Sequence, residues 1–218
     1  MPISKWRSVI MAGLVGNIME WYDFAVYGYF ASIIGAQFFP SENPAVSLIS
    51  AFGAFAAGFL MRPIGGILFG RIGDVFGRKR VLTLSVLSMA IPTVLIGLMP
   101  NYAAIGIAAP ILIVILRMIQ GLSVGGEYTS SVVFMVEKAP ENRRSFFAMW
   151  SLWGAIFGIM LGSGIGAGAA AVFGSEALAD WGWRAPFLLG ALVALTCYLV
   201  RRAIHAEEQN IGSETPVR

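Results

Sequence analysis

The sequence predicts an all-α membrane protein with six transmembrane helices, and three observations support this fold class. First, 57% of the 218 residues are hydrophobic and only 12% are charged, whereas about a quarter of the residues in a soluble domain carry charge. Second, the apolar residues form stretches that reach the roughly 20 residues needed to cross a bilayer core. Third, the Lys and Arg residues collect in the links at one side of these stretches.

The six apolar stretches follow one another along almost the whole chain. They occupy residues 9–38, 45–69, 81–99, 110–136, 146–173 and 183–200. The first, fourth and fifth are longer than a bilayer requires, so their ends are expected to tilt or to project into the interface. Pro110 suits a helix start, because the N–H that proline lacks would be unpaired there in any case. Residues 100–109 then form a partly apolar link at the interface.

The distribution of basic residues predicts the orientation of the chain. Most of the 15 Lys and Arg residues lie in links on one side, Arg184 lies on the other side, and Arg62 and Arg117 fall inside apolar stretches. Positively charged links stay in the cytoplasm, so both termini are predicted to be cytoplasmic. Residues 1–200 form the membrane unit, and residues 201–218 form a polar cytoplasmic tail that is expected to be disordered. Because the bases flank apolar runs, nucleic-acid binding is not indicated.

Two acidic residues, Glu20 and Asp23, lie inside the first apolar stretch. They belong to a polar stripe with three- and four-residue spacing that comprises Gly13, Asn17, Glu20, Asp23 and Tyr27. A charge in the hydrocarbon is expensive and marks an internal path or a paired site. Two acids this close resist joint ionisation, so they are candidates for accepting and releasing a proton. The alternative is a structural pair bonded to Arg62 or Arg117.

Arg62 lies about eight residues before Gly70, which is roughly 12 Å along a helix. This depth is large for an arginine that reaches back to the membrane surface, so an internal partner is favoured.

The fourth stretch contains Arg117, Gln120 and Glu127. Arg117 and Glu127 are about 15 Å apart along a helix and cannot pair with each other. The candidate pairs are therefore Arg117 with Glu20 or Asp23, and Glu127 with Arg62.

The fifth stretch carries a glycine ladder at positions 154, 158, 162 and 166, and Gly164 and Gly168 are expected to thicken it. Such a smooth face allows another helix backbone to approach closely or to slide. Static packing and a moving interface both remain open.

A G-x-S-x-G pattern at residues 121–125 is typical of serine hydrolases, but the context argues against one. Nucleophilic serine needs an adjacent base, and the single histidine, His205, lies beyond the last apolar stretch. The single cysteine, Cys197, excludes an internal disulfide and a cysteine-based metal cluster. The sequence therefore indicates neither an enzyme nor a cofactor or metal site.

Residues 70–80 contain three glycines, one acid and four bases between two apolar stretches. The link is expected to turn tightly at the cytoplasmic surface and to fix two helices. Its pattern of Gly70, Gly73, Asp74, Gly77, Arg78, Lys79 and Arg80 resembles the signature loop between helices two and three of the major facilitator superfamily. Arg117-x-x-Gln120-Gly121 resembles the fourth-helix motif of that superfamily, and Glu137, Arg143 and Arg144 match the cytoplasmic end of that helix.

Four further runs are similar to one branch of this superfamily, the metabolite:proton symporters for proline/betaine, α-ketoglutarate, citrate and shikimate. The runs are Glu20-Trp21-Tyr22-Asp23-Phe24, Arg62-Pro63-Ile64-Gly65-Gly66, Gly125-Gly126-Glu127-Tyr128 and Trp181-Gly182-Trp183-Arg184-Ala185-Pro186-Phe187. Family members have about twelve spans in two halves, each a 3+3 inverted repeat. The resemblance therefore implies that this chain is the N-terminal six-helix half of such a fold.

The resemblance also implies roles for individual residues. Substrate or proton binding is expected at Glu20, Asp23, Tyr27, Arg62, Arg117, Gln120 and Glu127. A conformational gate at the cytoplasmic face is expected from Gly70, Gly73, Asp74, Gly77, Arg78, Lys79, Glu137, Arg143 and Arg144. Asp74 would lock that face through Arg78 and the opposite half.

The expected function is proton-coupled symport of a small organic acid or zwitterion by alternating access. The expected partners are the substrate, protons, lipid, and a second six-helix half or a second copy in the inner membrane. The alternative is a truncated or non-transporting membrane protein that acts only as a partner of another transporter half.

Overall fold

The computed structural model describes residues 3–76, 78–125 and 127–213, apart from some side chains near the ends of these segments. Within these residues the chain forms helices and short turns and no strand, which confirms the predicted all-α class. The helices are α1 Ile3–Tyr29, α2 Ala31–Phe38, α3 Pro44–Phe76, α4 Arg78–Leu98, α5 Tyr102–Ile105, α6 Ala108–Val124, α7 Glu127–Lys138, α8 Arg144–Ala177 and α9 Arg184–Ser213. A 3₁₀ turn at Glu141–Arg143 precedes α8, and a π turn at Leu178–Gly182 joins α8 to α9.

The six apolar stretches correspond to α1 with α2, α3, α4, α6 with α7, α8, and α9. Within the described residues, three segments are long and apolar enough to cross a membrane: Val9–Tyr29, Pro44–Ile72 and Glu141–Gly182. Three shorter apolar helices accompany them: Leu84–Leu98, Ala108–Val124 and Arg184–Val200.

The structure divides two of the predicted helices. The first breaks at Phe30, whose φ of −98° and ψ of 12° depart from helical geometry. The fourth breaks between Val124 and Glu127, where two consecutive glycines lower the helix propensity by about 1 kcal/mol each. Each break separates a buried apolar segment from a more polar one.

Two other boundaries differ because helices continue beyond their apolar stretches. The helix α3 continues beyond the second apolar stretch to Phe76, and Gly77, which lies within the predicted link but outside the described residues, separates α3 from α4. Single glycines cost a helix about 1 kcal/mol and do not end one by themselves. In the same way α9 continues to Ser213, where a disordered tail was expected.

The helix packing has the symmetry of a 3+3 inverted repeat. The α1 helix packs along α8, α3 packs along α6, and α4 packs along α9. Exchanging the first three spans for the last three converts the α1–α8 pair into the α6–α3 pair and returns the α4–α9 pair to itself. The six helices therefore form two interlocked three-helix repeats, as the resemblance to half of a major facilitator fold implies.

The predicted glycine ladder lies against α1. A Cβ atom on Gly158 would come within 2.6 Å of the Ile18 carbonyl oxygen, and one on Gly162 within 2.7 Å of the Tyr22 carbonyl oxygen. Gly164 and Gly168 face open space instead, so the expectation that they thicken the ladder is wrong.

The α3–α6 pair uses glycine in the same way. A Cβ atom on Gly121 would overlap the backbone of Gly58, and one on Gly125 would overlap the backbone of Arg62. These close approaches bring the polar side chains of α1, α3 and α6 within reach of one another.

The end of α4 is fastened to the start of α9 by Arg184. Its guanidinium donates to the carbonyl oxygens of Gly97, at 3.0 Å, and Met99, at 2.6 Å. Capping of terminal helix carbonyls by a cation is favourable. Arg184 also lies 4.6 Å from the ring centroid of the buried Trp183, so α4 and α9 are held together at this end.

We predict that Gly158→Ala destabilises the protein and that Gly164→Ala does not. Both glycines lie in α8, so both substitutions remove the same entropic cost of a helical glycine, up to about 1 kcal/mol. At Gly158 the added methyl group meets the α1 backbone, and overpacking costs about 1–3 kcal/mol. Thermal unfolding in detergent measures the difference, and equal melting temperatures for the two variants would contradict the packing described here.

Candidate functional site

The polar stripe of α1 lies in the centre of the bundle. Asn17, Glu20, Asp23 and Tyr27 are all buried, and their partners come from α3, α4, α6, α7 and α8. This confirms that the stripe forms one face that other helices cover.

Asp23 forms an ion pair with Arg117 of α6, and both side chains are at most 2% exposed. The guanidinium of Arg117 also lies 3.8 Å from the centroid of the Tyr27 ring. The Tyr27 hydroxyl donates to the carbonyl oxygen of Ala51 in α3, at 2.8 Å. Of Glu20 and Asp23, the two candidates for pairing with Arg117, Asp23 is therefore the partner. The Tyr27 ring adds an aromatic face that stabilises the cation.

The second oxygen of Asp23 is held by Thr93 of α4 and Gln120 of α6. The Thr93 hydroxyl lies 2.8 Å from Asp23 Oδ1, and Gln120 Nε2 donates to Asp23 Oδ1 at 3.1 Å and to Thr93 Oγ1 at 2.8 Å. Thr93 was not among the predicted site residues. A single threonine in an apolar helix is unremarkable in sequence, because its hydroxyl can bond the carbonyl four residues earlier.

Glu20 pairs with Arg62 of α3, with 3.2 Å between Glu20 Oε1 and Arg62 Nη2. The guanidinium lies 3.9 Å from the Phe59 ring centroid and 5.0 Å from that of Phe24. The predicted internal partner of Arg62 is thus confirmed, with Glu20 in that role. The side chain of Glu127, which the sequence analysis paired with Arg62, lies outside the described residues.

A second polar cluster joins Asn17 of the predicted stripe on α1 to α7 and α8, and its serine partners were not among the predicted site residues. Asn17 Nδ2 donates to Ser131 Oγ at 3.0 Å and to the Ser151 carbonyl oxygen at 3.3 Å. The two serine hydroxyls are 3.0 Å apart. Serine is too common in membrane helices to be singled out without the tertiary contact.

The residues predicted to form the gate lie near the ends of helices. Asp74, Glu137, Arg143 and Arg144 are exposed. Arg144 pairs with Glu141 at 3.9 Å, and Arg143 lies 5.0 Å from the Trp6 ring centroid. Gly70 and Gly73 are helical within α3. Gly77 and the side chains of Arg78 and Lys79 lie outside the described residues, so the expected contact between Asp74 and Arg78 is not tested.

The central site retains hydrogen-bonding capacity. Nε and Nη2 of Arg117 and Oε1 of Gln120 are buried and have no hydrogen-bond partner within the part of the chain that the structure describes. Buried polar atoms are normally paired, so these atoms can hold a further polar group. The site therefore places a buried carboxylate beside a guanidinium that has donors left for an anion.

Comparison with known families identifies the class of protein. The profile of the family described as "Sugar (and other) transporter" matches residues 8–204. The chain belongs to this transporter family, within the major facilitator superfamily.

The chain is also similar in sequence to individual curated transporters. The chain is 42% identical over 200 residues to the proline/betaine transporter of Salmonella typhimurium, covering 92% of this chain and 40% of that protein. It is 39% identical over 205 residues to the shikimate transporter of Escherichia coli, covering 94% of this chain and 47% of that protein. Both relatives are transporters and not enzymes, as the sequence analysis expected. The chain thus spans less than half of the length of either relative.

A solved structure gives the same fold. The proton:xylose symporter XylE, bound to 6-bromo-6-deoxy-D-glucose, superposes with a TM-score of 0.78 at 21% identity. The superposition covers 94% of this chain and 45% of XylE. The arrangement of six helices is therefore that of about half of a major facilitator transporter.

We predict that Arg117→Met lowers the free energy of unfolding by about 3–5 kcal/mol, because it leaves the Asp23 carboxylate buried without its cation. Arg144→Met, which removes an exposed ion pair, serves as the matched control and is expected to change stability little. Denaturation of both variants in mixed micelles measures the difference. If the Arg117 and Arg144 variants unfolded alike, the central ion pair would not hold α1 to α6.

Proposed function

We propose that the chain is one half of a secondary active transporter that moves a small organic acid or zwitterion together with protons by alternating access. The buried ion pair between Asp23 and Arg117 is the observation that carries this proposal. Charges inside the membrane are retained where they serve a path for substrate or ions. This pair joins α1 to α6, the first helices of the two inverted repeats.

Asp23 is the proposed proton carrier, with Glu20 one turn away as a second candidate and Glu127 as a third. When Asp23 binds a proton, it loses the charge that holds Arg117. The α1–α6 contact then weakens, and Arg117 becomes available to an anion. This exchange supplies the coupling that symport needs, because proton binding changes the affinity of the site for substrate.

The substrate is proposed to contain a carboxylate. The side chain of Arg62 is 27% exposed. Nε and Nη2 of Arg117 are hydrogen-bond donors that a substrate can use, and Tyr27 and Gln120 lie beside Arg117 or its partner Asp23. An arginine guanidinium matches a carboxylate in shape and charge. Proline, betaine and shikimate, which name two of the relatives, each contain one carboxylate. Either a zwitterion or a simple acid fits this chemistry.

The cytoplasmic gate is proposed to lie at the ends of α3, α7 and α8. Asp74, Glu137, Arg143 and Arg144 are exposed there, where they can meet charges from an opposite half as the transporter closes. Gly70, Gly73, Gly77, Arg78 and Lys79 complete the proposed gate. We place the chain in a bacterial inner membrane with both termini in the cytoplasm, as the basic links indicate.

A second six-helix half, or a second copy of this chain, is proposed to cover the face that carries Arg62. Among the side chains of α4 that the structure describes, from residue 84 onward, the exposed ones are aliphatic and suit lipid: Leu84, Leu87, Ile91, Leu95 and Leu98. The α3 face differs, because the partly exposed Arg62 lies beside the exposed Phe59. A guanidinium cannot face acyl chains at this depth without a large cost, so protein or water covers this face.

We predict that Asp23→Asn abolishes uptake that is driven by a proton gradient. Asparagine keeps the size of the side chain but cannot gain or lose the proton. The experiment uses vesicles from the native membranes, because these contain any partner half. Before the vesicles are prepared, the native gene is deleted and replaced by a wild-type or variant copy. Uptake of radiolabelled betaine, proline and shikimate is then measured with and without a protonophore.

The control for this experiment is Glu42→Gln, which neutralises an exposed acid outside the proposed site and gate and is expected to leave uptake unchanged. Uptake that is restored by the wild-type gene but ignores the protonophore would contradict proton coupling. If none of the three solutes depended on the gene, the transport proposal itself would fail.

We predict that a photo-crosslinker on Phe52→Cys captures a protein partner and that the same group on Leu95→Cys captures lipid. Phe52 lies two turns before Phe59 on α3. Phe52 and Leu95 are similarly exposed, at 46% and 44%. The background carries Cys197→Ser, so each variant has one thiol. Mass spectrometry of the Phe52→Cys product identifies a second copy or another six-helix chain, and lipid adducts at both positions would contradict a protein-covered face.

A further inference from the structure

We propose that Thr93 is a positioning residue whose hydroxyl group reverses its hydrogen bond when Asp23 gains or loses a proton, and so reports the charge of Asp23 to α4. The inference rests on the proposed role of Asp23 as proton carrier. Thr93 itself exchanges no proton, and the transported proton stays on the carboxyl group of Asp23.

Three polar atoms surround the Thr93 hydroxyl. Its oxygen lies 2.8 Å from Asp23 Oδ1, 2.8 Å from the Met89 carbonyl oxygen and 2.8 Å from Gln120 Nε2. A hydroxyl group has one hydrogen and two lone pairs. The two oxygens are acceptors, so Thr93 can donate to one of them at a time, while the Gln120 amide occupies one lone pair.

The charge of Asp23 decides which acceptor Thr93 uses. An ionised carboxylate accepts strongly, so the hydroxyl donates to Asp23 Oδ1. A protonated Oδ1 becomes a donor and needs an acceptor, and Thr93 Oγ1 is in place at 2.8 Å. The Thr93 hydrogen then turns to the Met89 carbonyl oxygen. With Asp23 ionised, the Thr93 hydroxyl donates to Asp23. With Asp23 protonated, Asp23 donates to Thr93 and Thr93 donates to the Met89 carbonyl oxygen. The change needs only a rotation about the C–O bond of Thr93.

Burial makes this choice strict. Thr93 and Asp23 are fully buried, and Gln120 is 2% exposed. A hydrogen bond lost in such surroundings leaves a polar atom unpaired, which costs about 1–3 kcal/mol. The direction of the Thr93 hydrogen bond therefore changes whenever the Asp23 carboxyl group gains or loses a proton.

The new acceptor lies where α4 is already weakened. Pro92 is inside α4 and has no N–H to donate to the preceding turn. A threonine that bonds the carbonyl four residues earlier tends to bend a helix, and Met89 is four residues before Thr93. Arg184 fastens the C-terminal end of α4 to α9. A bend at Met89–Thr93 therefore moves the rest of α4 relative to this fixed end.

The charged and titratable groups around Thr93 single out Asp23. From α6 comes Arg117, which is bonded to Asp23, and the neutral amide of Gln120 is bonded to Asp23 as well. Four other such groups on the helices around this site are engaged elsewhere: Glu20 with Arg62 of α3, Tyr22 with the Pro186 carbonyl oxygen of α9, Tyr27 with the Ala51 carbonyl oxygen of α3, and Arg184 with the end of α4. Between Arg144 and Glu176, the α8 sequence contains no titratable residue.

The test compares Thr93→Val, which keeps the branched shape without the hydroxyl group, with Thr93→Ser, which keeps the hydroxyl group. Native membrane vesicles carrying each allele are assayed for gradient-driven uptake and for exchange of labelled against unlabelled solute without a gradient. We expect Thr93→Val to lose most gradient-driven uptake while exchange continues, and Thr93→Ser to retain both. Equal loss of uptake and exchange in Thr93→Val would indicate a structural role and overturn the proposal.

A second measurement does not depend on transport. The wild-type chain, reconstituted in lipid, is examined by infrared spectroscopy between acidic and alkaline pH, and Asp23→Asn identifies the carboxyl C=O band of Asp23. We expect this band to shift in Thr93→Val and to return in Thr93→Ser. An unshifted band in Thr93→Val, or no titrating Asp23 band in the wild type, would overturn the proposal. Absent uptake with the expected band shift would instead count against the transport function alone.

Discussion

The structure depends on one constraint: a charge in the middle of a membrane bundle must be met by an opposite charge on another helix. Asp23 and Arg117 meet this constraint completely, since both are buried and paired. The pair fixes α1 against α6 in rotation and in depth, because a shift by one residue would turn one partner away. Glu20 and Arg62 repeat the arrangement between α1 and α3, so α1 is the helix on which the others are oriented.

Glycine makes these pairings possible. Gly121 and Gly58 bring the backbones of α6 and α3 together, and Gly158 brings α8 onto α1. The two contacts are related by the inverted repeat, so one packing solution is used twice. Short side chains at the contacts allow the polar groups of α1, α3 and α6 to converge on a small volume. Packing and electrostatics therefore specify the same arrangement, which is typical of a sequence with one folded state.

The sequence allowed the helical class and the six apolar stretches to be predicted, since hydropathy is a local property of about 20 residues. It was less informative about where helices break or end. The first helix breaks at Phe30 and not at Gly28, two residues earlier, and α3 continues through Gly70 to Phe76 in spite of its glycines. Helix ends depend on the neighbours that pack against them, and a window of sequence does not contain those neighbours.

The sequence alone determined which charges lie inside the membrane, because Glu20, Asp23, Arg62 and Arg117 interrupt long apolar runs. Only the tertiary structure decided their partners, since pairing depends on how each helix is rotated and how deeply it sits. It also decided the role of Thr93, whose hydroxyl group is inconspicuous in an apolar helix until Asp23 and Gln120 are brought to within hydrogen-bonding distance. The sequence determines that a charge lies in the membrane and therefore costs free energy. The three-dimensional arrangement of the helices determines which atoms pair with that charge and reduce the cost.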